Sequence, residues 1–243
     1  MRRLATLLAL GIAAIAGTTL IQRSAAQGDR VTFSDDFDRG LCVGRCAASP
    51  WAIAQQVRGR VRAAPAPDRS GLALLAKAGA KTDGVAKADV VARLRPIGPG
   101  RRLTVAFDLR ISAGTPLNSL QLVDLECASC GEGGNPGIRL YLRRGRLRVD
   151  RSKIGVAHAW TRDDAPALAN DRWHHIEWQV RVAADDRGAV RVLLDGRDVL
   201  VARGATAAAL PRVAVDRVQI GITANSNPVP ATAWFDNVRV DVR

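Results

Sequence analysis

Hydrophobic and polar residues alternate along most of this chain, which is the pattern of a β-strand with one buried face. In residues 103–111 the apolar members are Leu103, Val105, Phe107, Leu109 and Ile111. Similar runs, bounded by Gly, Pro, Asn or Asp, predict strands at residues 138–143, 146–151, 176–182, 188–194, 199–203, 218–222 and 232–242. Shorter apolar runs predict further strands at residues 31–33, 51–61, 72–77 and 90–94. Because no convincing helix accompanies them, we expect an all-β fold, a sandwich or barrel of antiparallel strands.

Two pairs of these strands are joined by predicted hairpin turns. Asp195-Gly196 is a strong two-residue turn signal, and Arg144-Gly145 allows the same reversal. The second turn predicts the cross-strand pairs Arg143 with Arg146, Tyr141 with Arg148 and Arg139 with Asp150. One face of this hairpin then carries four arginines and the only tyrosine of the chain. Its other face carries Ile138, Leu140, Leu142, Leu147 and Val149.

The first 26 residues have the composition of a secretion signal. Arg2 and Arg3 precede an uncharged apolar run at residues 4–21, and Ser24-Ala25-Ala26 is a small-residue cleavage site. An uncleaved membrane anchor is the alternative, because the run has about the length of a short transmembrane helix. We expect a signal peptide at residues 1–26 and one domain at residues 27–243, secreted or associated with the cell envelope. No later segment is expected to span a membrane as a helix.

The four cysteines form two close pairs along the chain, Cys42 with Cys46 and Cys127 with Cys130. In an exported protein an even number of cysteines favours disulfide bonds, and we expect these two local pairings. A four-cysteine zinc site permits the same spacing and is the alternative.

The chain is strongly basic, with 36 Lys and Arg against 23 Asp and Glu and a net charge of +13. Residues 1–26 hold three arginines and no acid, so the remainder carries +10. Such a surface could hold an acidic polysaccharide, a teichoic acid, nucleic acid or anionic lipid. However, Arg outnumbers Lys 32 to 4, a bias that a GC-rich genome produces without any ligand. Nucleic acid is not an expected partner, because no aromatic-rich groove signal accompanies the charge.

Five short motifs occur in the order found in a known superfamily. They are Phe33-Ser34-Asp35-Asp36-Phe37, Trp173-His174-His175-Ile176, residues 188–196, Gln219-Ile220-Gly221-Ile222 and Trp234-Phe235-Asp236-Asn237-Val238. The chain resembles the concanavalin A-like lectin and glucanase superfamily, especially its laminin G-like members, and more loosely the heparin-lyase-like branch. The resemblance implies an antiparallel two-sheet jelly-roll sandwich. Because this superfamily includes lectins, hydrolases, lyases and adhesion modules, the fold does not select the function.

The same resemblance implies a structural calcium ion where the first and last strands meet. Its ligands would be Asp36 and Asp236, joined by oxygens of Asp35 or Asp38. The alternative is that these aspartates cap turns or pair with nearby arginines.

Two polar rows are candidate glycan-binding surfaces. The hairpin row opposes Arg143 to Arg146, a repulsion that an anionic ligand would relieve. The row at residues 173–179 could stack on sugars and bind them by hydrogen bonds. The candidate ligand-binding residues are Arg139, Tyr141, Arg143, Arg146, Arg148, Trp173, His175, Glu177 and Gln179. Ordinary solvated strand faces are the alternative for both rows.

The sequence lacks the acid motif of glycosidases with this fold, because Asp124 and Glu126 have no third acid beside them. We therefore expect a non-catalytic module that binds a polysaccharide or cell-surface glycan, in particular an acidic one. The alternative is a polysaccharide lyase acting on a uronate-containing glycan. Its base and its carboxylate-neutralising groups would be Tyr141, His175, Gln179 and Arg148. A structural envelope protein is the third hypothesis.

Overall fold

The computed structural model describes residues 31–47, 49–130, 137–151, 159–208, 210 and 212–243. In these residues the chain forms fifteen strands and one turn of 3-10 helix, Ala128–Cys130. The strands are β1 (Val31–Asp35), β2 (Trp51–Val57), β3 (Gly59–Pro65), β4 (Leu72–Ala78), β5 (Ala86–Ile97), β6 (Arg102–Ile111), β7 (Leu120–Glu126), β8 (Gly137–Arg143), β9 (Arg146–Asp150), β10 (Ala159–Trp160), β11 (Trp173–Arg181), β12 (Ala189–Leu194), β13 (Arg197–Arg203), β14 (Val215–Asn225) and β15 (Ala231–Val242).

The strands form two antiparallel sheets that pack face to face. Sheet A has the order β13-β12-β11-β6-β15-β4-β3, and β1 pairs with β15 beside this path. Sheet B has the order β10-β9-β8-β7-β14-β5-β2. Neighbours in space are often distant in the chain, as in the pairing of β7 with β14. The predicted all-β jelly-roll sandwich is confirmed.

The core lies between the two sheets and is built mainly from aliphatic side chains. Alternate residues of β6 and β8 face it, and they are fully buried, as are their counterparts on β11 and β14. The few aromatic residues add large buried surfaces: the rings of Phe107 and Phe235 lie 5.8 Å apart. The alternate residues that face outward do not pack in this core, so they are the candidates for binding or catalysis.

Residues 51–61 were expected to form one strand, but the structure divides them between the sheets. Arg58 has a φ of 47°, which breaks the extended run between β2 and β3. Strand β2 pairs with β5 in sheet B, whereas β3 pairs with β4 in sheet A. Strand β7 was not predicted, because an irregularity in its pairing between Gln121 and Val123 interrupts the alternation.

Both local disulfide bonds are present, between Cys42 and Cys46 and between Cys127 and Cys130. They leave no free cysteine, so the zinc alternative is not supported. Within the described ranges, no helix has the length and apolar character needed to cross a membrane. The expected signal peptide lies outside the described residues and stays a prediction.

Candidate functional site

The outer face of sheet B carries polar residues, and several of them are buried, unlike those of an ordinary solvated strand face. We call these residues the polar face: Gln55, Lys87, Asp89, Asp124, Glu126, Arg139, Tyr141, Arg148, Asp150, Arg217, Gln219 and Thr223. Several are removed from water, with 0% exposure at Glu126 and Gln219 and 9% at Arg139. Interactions between charges are stronger in such surroundings than in bulk water.

A row of four residues crosses the middle of the polar face. Asp150 on β9 lies opposite Arg139 on β8, which lies opposite Asp124 on β7, and Asp124 lies opposite Gln219 on β14. Side chains directly opposite one another in antiparallel strands point to the same face of the sheet. The strand order therefore brings together an arginine and an amide that are 80 positions apart in the sequence.

Tyr141 lies next to this row and contacts an arginine. It is opposite Arg148 in the hairpin, and the guanidinium carbon of Arg148 lies 4.3 Å from the centre of the Tyr141 ring. Nη2 of Arg148 is also 3.7 Å from Oδ2 of Asp150. The phenol is thus held beside the guanidinium group of Arg148, and Arg139 lies two positions before Tyr141 on the same face of β8.

The acids of β7 fix their neighbours on β14. Nε2 of Gln219 donates a hydrogen bond to Oε2 of Glu126, and Nη1 of Arg217 lies 3.8 Å from the same oxygen. The hydroxyl of Thr223 donates to Oδ1 of Asp124 at 3.2 Å. These carboxylates therefore orient polar side chains of the polar face, as expected for supporting groups rather than a glycosidase acid pair.

Buried polar atoms on the polar face that have no hydrogen-bond partner among the described residues include Nη2 of Arg139, Nε of Arg148, Nε of Arg217 and Oε1 of Gln219. Leaving a buried donor or acceptor unpaired costs about 1–3 kcal/mol, so native structures rarely keep several together. The oxyanion and hydroxyl groups of a ligand are the kinds of group that would pair them, so this face is the candidate binding site.

The structure divides the residues that the sequence singled out. Arg139, Tyr141, Arg143, Arg146 and Arg148 lie on one face of the β8–β9 hairpin, in the predicted register. The second set lies on the outer face of sheet A, on β11, and consists of Trp173, His175, Glu177 and Gln179. The set expected for a lyase is therefore not assembled: His175 and Gln179 point away from the core on the sheet opposite Tyr141 and Arg148.

The residues on β11 take part in a network within sheet A. Nδ1 of His175 is 2.8 Å from Oδ1 of Asp108, whose other oxygen accepts hydrogen bonds from Arg69 and Asn237, each at 2.9 Å. The guanidinium carbon of Arg69 also lies 3.7 Å from the ring centre of Trp173. This arginine covers one face of the tryptophan, which leaves less of the ring for a sugar to stack on.

A calcium site formed by Asp36 and Asp236 does not fit the described residues. Oδ2 of Asp236 pairs with Nη1 of Arg69 at 3.3 Å, and burial raises the pKa of this carboxyl. Oδ1 of Asp36 accepts the backbone N–H of Asp38 at 3.2 Å, as in a turn cap. Nowhere in the described ranges do three or more His, Cys, Asp or Glu side chains form a group that could hold a metal ion. Calcium binding by this chain stays a prediction.

Sequence reasoning missed Gln219 as a functional residue and considered Asp124 and Glu126 only as glycosidase acids. A usable signal exists in retrospect. In Val218–Ile222, Gln219 is the one residue with a polar side chain. Asp124 and Glu126 alternate with buried aliphatic residues. Single polar residues within an otherwise apolar strand indicate a second buried, polar environment.

Comparisons with known proteins agree with this geometry. A family model described as polysaccharide lyase matches residues 96–239, which include the whole Asp150–Arg139–Asp124–Gln219 row. No curated protein matches the chain.

Solved structures with the same fold have low sequence identity. An endo-β-1,4-glucuronan lyase from the fungus Trichoderma reesei has a TM-score of 0.65 at 16% identity, covering 87% of this chain and 95% of that one. The cellulose-induced protein Cip1 has a TM-score of 0.58 at 15% identity, with coverages of 86% and 96%. The alginate lyase Aly36B has a TM-score of 0.57 at 11% identity, with coverages of 86% and 95%. These likenesses establish the fold, and the family match over more than half of the sequence shows that the chain belongs to the polysaccharide lyase family.

Proposed function

We propose that this protein is a lyase that cleaves a uronate-containing polysaccharide by β-elimination on the polar face of sheet B. The observation that carries the proposal is the grouping of Tyr141 with Arg139 and Arg148, with unpaired buried atoms aimed at the same face. The family match favours this function over the non-catalytic module that we expected first. Glucuronan and alginate are the substrates named for the structural neighbours, and both are polymers of uronates.

Elimination from a uronate requires neutralisation of its carboxylate, because the proton on C5 is otherwise too weakly acidic. Arg139 has a buried N–H without a partner and would donate it to that carboxylate. The Glu126 carboxylate can only accept hydrogen bonds, so the amide nitrogen of Gln219 faces it and the amide oxygen points elsewhere. That oxygen is fully buried and unpaired among the described residues, so it would bind a sugar hydroxyl only if ligand binding exposed it.

Tyr141 would exchange the proton. As a phenolate it takes the proton from C5, a C4–C5 double bond forms as the C4–O4 bond breaks, and the proton is delivered to O4 of the leaving chain. The guanidinium of Arg148 lies over the ring, where it would stabilise negative charge that develops on the phenol oxygen during the reaction. Export of the protein, which residues 1–26 predict, would bring the enzyme to extracellular polymers of this kind.

The test is the ultraviolet absorbance of unsaturated uronate ends after incubation with glucuronan, alginate and a heparin-like polymer. We expect cleavage of at least one polymer by the wild-type protein. Tyr141→Phe keeps the ring and its contact with Arg148 but removes the hydroxyl, so kcat should fall about 10²–10⁴-fold, the usual contribution of a general acid or base.

The matched control is Arg62→Ala, which removes an exposed side chain of the edge strand β3 in the other sheet. Its activity should equal that of the wild-type protein, and the thermal unfolding midpoint of Tyr141→Phe should show that the fold is intact. If the wild-type protein cleaves none of the three polymers, or if Tyr141→Phe keeps full activity, the proposed function is overturned.

A further inference from the structure

The turn that joins β8 to β9 concentrates positive charge. Arg143 and Arg146 are directly opposite each other, and Arg144 occupies the turn with a φ of 51°. Across the described ranges, no carboxylate lies within ion-pair distance of these three guanidinium groups. Like charges placed opposite each other destabilise a hairpin, and no ion pair with these three arginines offsets that cost among the described residues.

The turn is held in place by two other loops. The backbone N–H of Gly145 donates to the carbonyl of Leu117 at 2.6 Å, and the carbonyl of Gly145 accepts from Leu168 at 2.8 Å. Nε of Arg146 donates to the carbonyl of Ala165 at 2.8 Å. The backbone of the turn and the Arg146 side chain are therefore held in place, and less ordering of these groups is needed when a ligand binds.

A cavity of about 370 Å³ lies between this turn and residues 161–163. Five arginines line it: Arg143, Arg144, Arg146, Arg148 and Arg162. Arg162 is already paired with Asp164 through two contacts of 3.0 Å, and Asp163 is the one acid in the lining. The cavity therefore has a net positive charge, and its volume lies in the range of small-molecule sites. We call it the arginine pocket.

We propose that the arginine pocket binds an oxyanion, a carboxylate or a sulfate, on a sugar of the glycan other than the one that is cleaved. This inference rests on the proposed function, because it concerns the same polymer. Arg148 lines the pocket and also lies over the Tyr141 ring, so a chain placed on Tyr141 extends directly toward the pocket. Guanidinium groups bind carboxylate and sulfate through two parallel hydrogen bonds. The pocket therefore selects long acidic polymers over short or neutral ones.

The test is the double variant Arg143→Ala/Arg144→Ala. Neither side chain has a hydrogen-bond or ion-pair partner in the part of the chain that the structure describes, so their removal leaves the hairpin intact. We expect KM for a long uronate polymer to rise about tenfold, the loss expected for one charge-assisted contact, while kcat stays within about twofold. The shortest cleavable oligomer should show no change in KM. Arg143→Lys/Arg144→Lys should recover part of the affinity.

The control is Arg60→Ala/Arg62→Ala, which removes the same charge from exposed positions of β3. Binding of glucuronan and of a heparin-like polymer to Tyr141→Phe protein, with and without the pocket substitutions, separates the two sources of the oxyanion. Weaker binding of both polymers indicates any oxyanion, and weaker binding of the heparin-like polymer alone indicates a sulfate; both outcomes support the pocket. Unchanged binding and KM, or an equal loss in the control variant, would overturn it. If the wild-type protein cleaves no polymer, the proposed function fails, while the binding experiment still decides the pocket.

Discussion

Among single residues, Asp108 on β6 has three polar partners on the outer face of sheet A. It accepts hydrogen bonds from Arg69, His175 and Asn237. Burial acts to raise the pKa of Asp108, but these three hydrogen bonds outweigh it and hold the pKa below the ordinary value of 3.8. The pKa of Asp236 is raised instead, because burial acts on it and the negative charge of Asp108 lies nearby. Its contact with Arg69 is also longer than that of Asp108.

We predict that Asp108→Asn lowers the free energy of unfolding by about 1.5–3 kcal/mol at neutral pH, the range for hydrogen bonds to charged groups. Because the folded-state pKa is below the unfolded one, this stabilisation is complete above the unfolded value and is lost as the pH falls through the folded one. Urea unfolding at a series of pH values should show that the difference in the free energy of unfolding between variant and parent becomes smaller in acid. Asp83→Asn, at an exposed loop position, is the control and should show no gap. A gap that is constant with pH would contradict this account of the charge.

Among the elements, the β8–β9 hairpin is the part of the site that its own sequence determines. Arg144 and Gly145 have φ values of 51° and 76°, as a type I′ turn requires, and this turn sets the pairing of Tyr141 with Arg148. A two-residue turn between alternating strands leaves little choice of register. For this reason both faces of the hairpin could be predicted correctly from local sequence.

We predict that Gly145→Ala destabilises the protein by about 1–2 kcal/mol, the cost of the left-handed conformation for a residue with a Cβ atom. The new Cβ would also lie 3.0 Å from the Cβ of Ala167, in the loop that braces the turn. Since Tyr141 and Arg148 depend on this register, kcat should fall as well. Gly98→Ala is the matched control, because a Cβ there meets no atom within 4 Å and the backbone φ is not positive. Equal unfolding midpoints for the two variants in thermal denaturation would contradict the prediction.

The remainder of the site depends on which strands become neighbours, and local sequence does not contain that information. Alternation along β11 and β8 correctly predicted which side chains face outward, but not that the two strands lie in different sheets. Likewise, Gln219 and Asp124 meet only because β14 inserts between β7 and β5. His175 was therefore grouped with Tyr141, and Gln219 was not.

At the scale of the whole molecule, the sandwich presents two polar outer faces with different roles. The polar face of sheet B combines unpaired buried atoms with Tyr141 and the arginines of the β8–β9 hairpin. On sheet A, His175 and Trp173 are engaged by Asp108 and Arg69 within the protein. The apolar core of the sandwich lies between the two faces, and packed sheets are about 10 Å apart.

We predict that His175→Ala and Gln179→Ala keep kcat within about twofold of the wild-type value, although the sequence made both residues candidates for catalysis. A general base must lie within about 3 Å of the atom that bears the proton it removes. Residues on the outer face of sheet A are separated from a glycan on Tyr141 by two sheets and the core, so neither can reach it. Initial rates of uronate cleavage, measured beside Tyr141→Phe and at several pH values, check this. A hundredfold loss in His175→Ala, with an unchanged unfolding midpoint, would mean that catalysis takes place on sheet A, and the site proposed on sheet B would have to be abandoned.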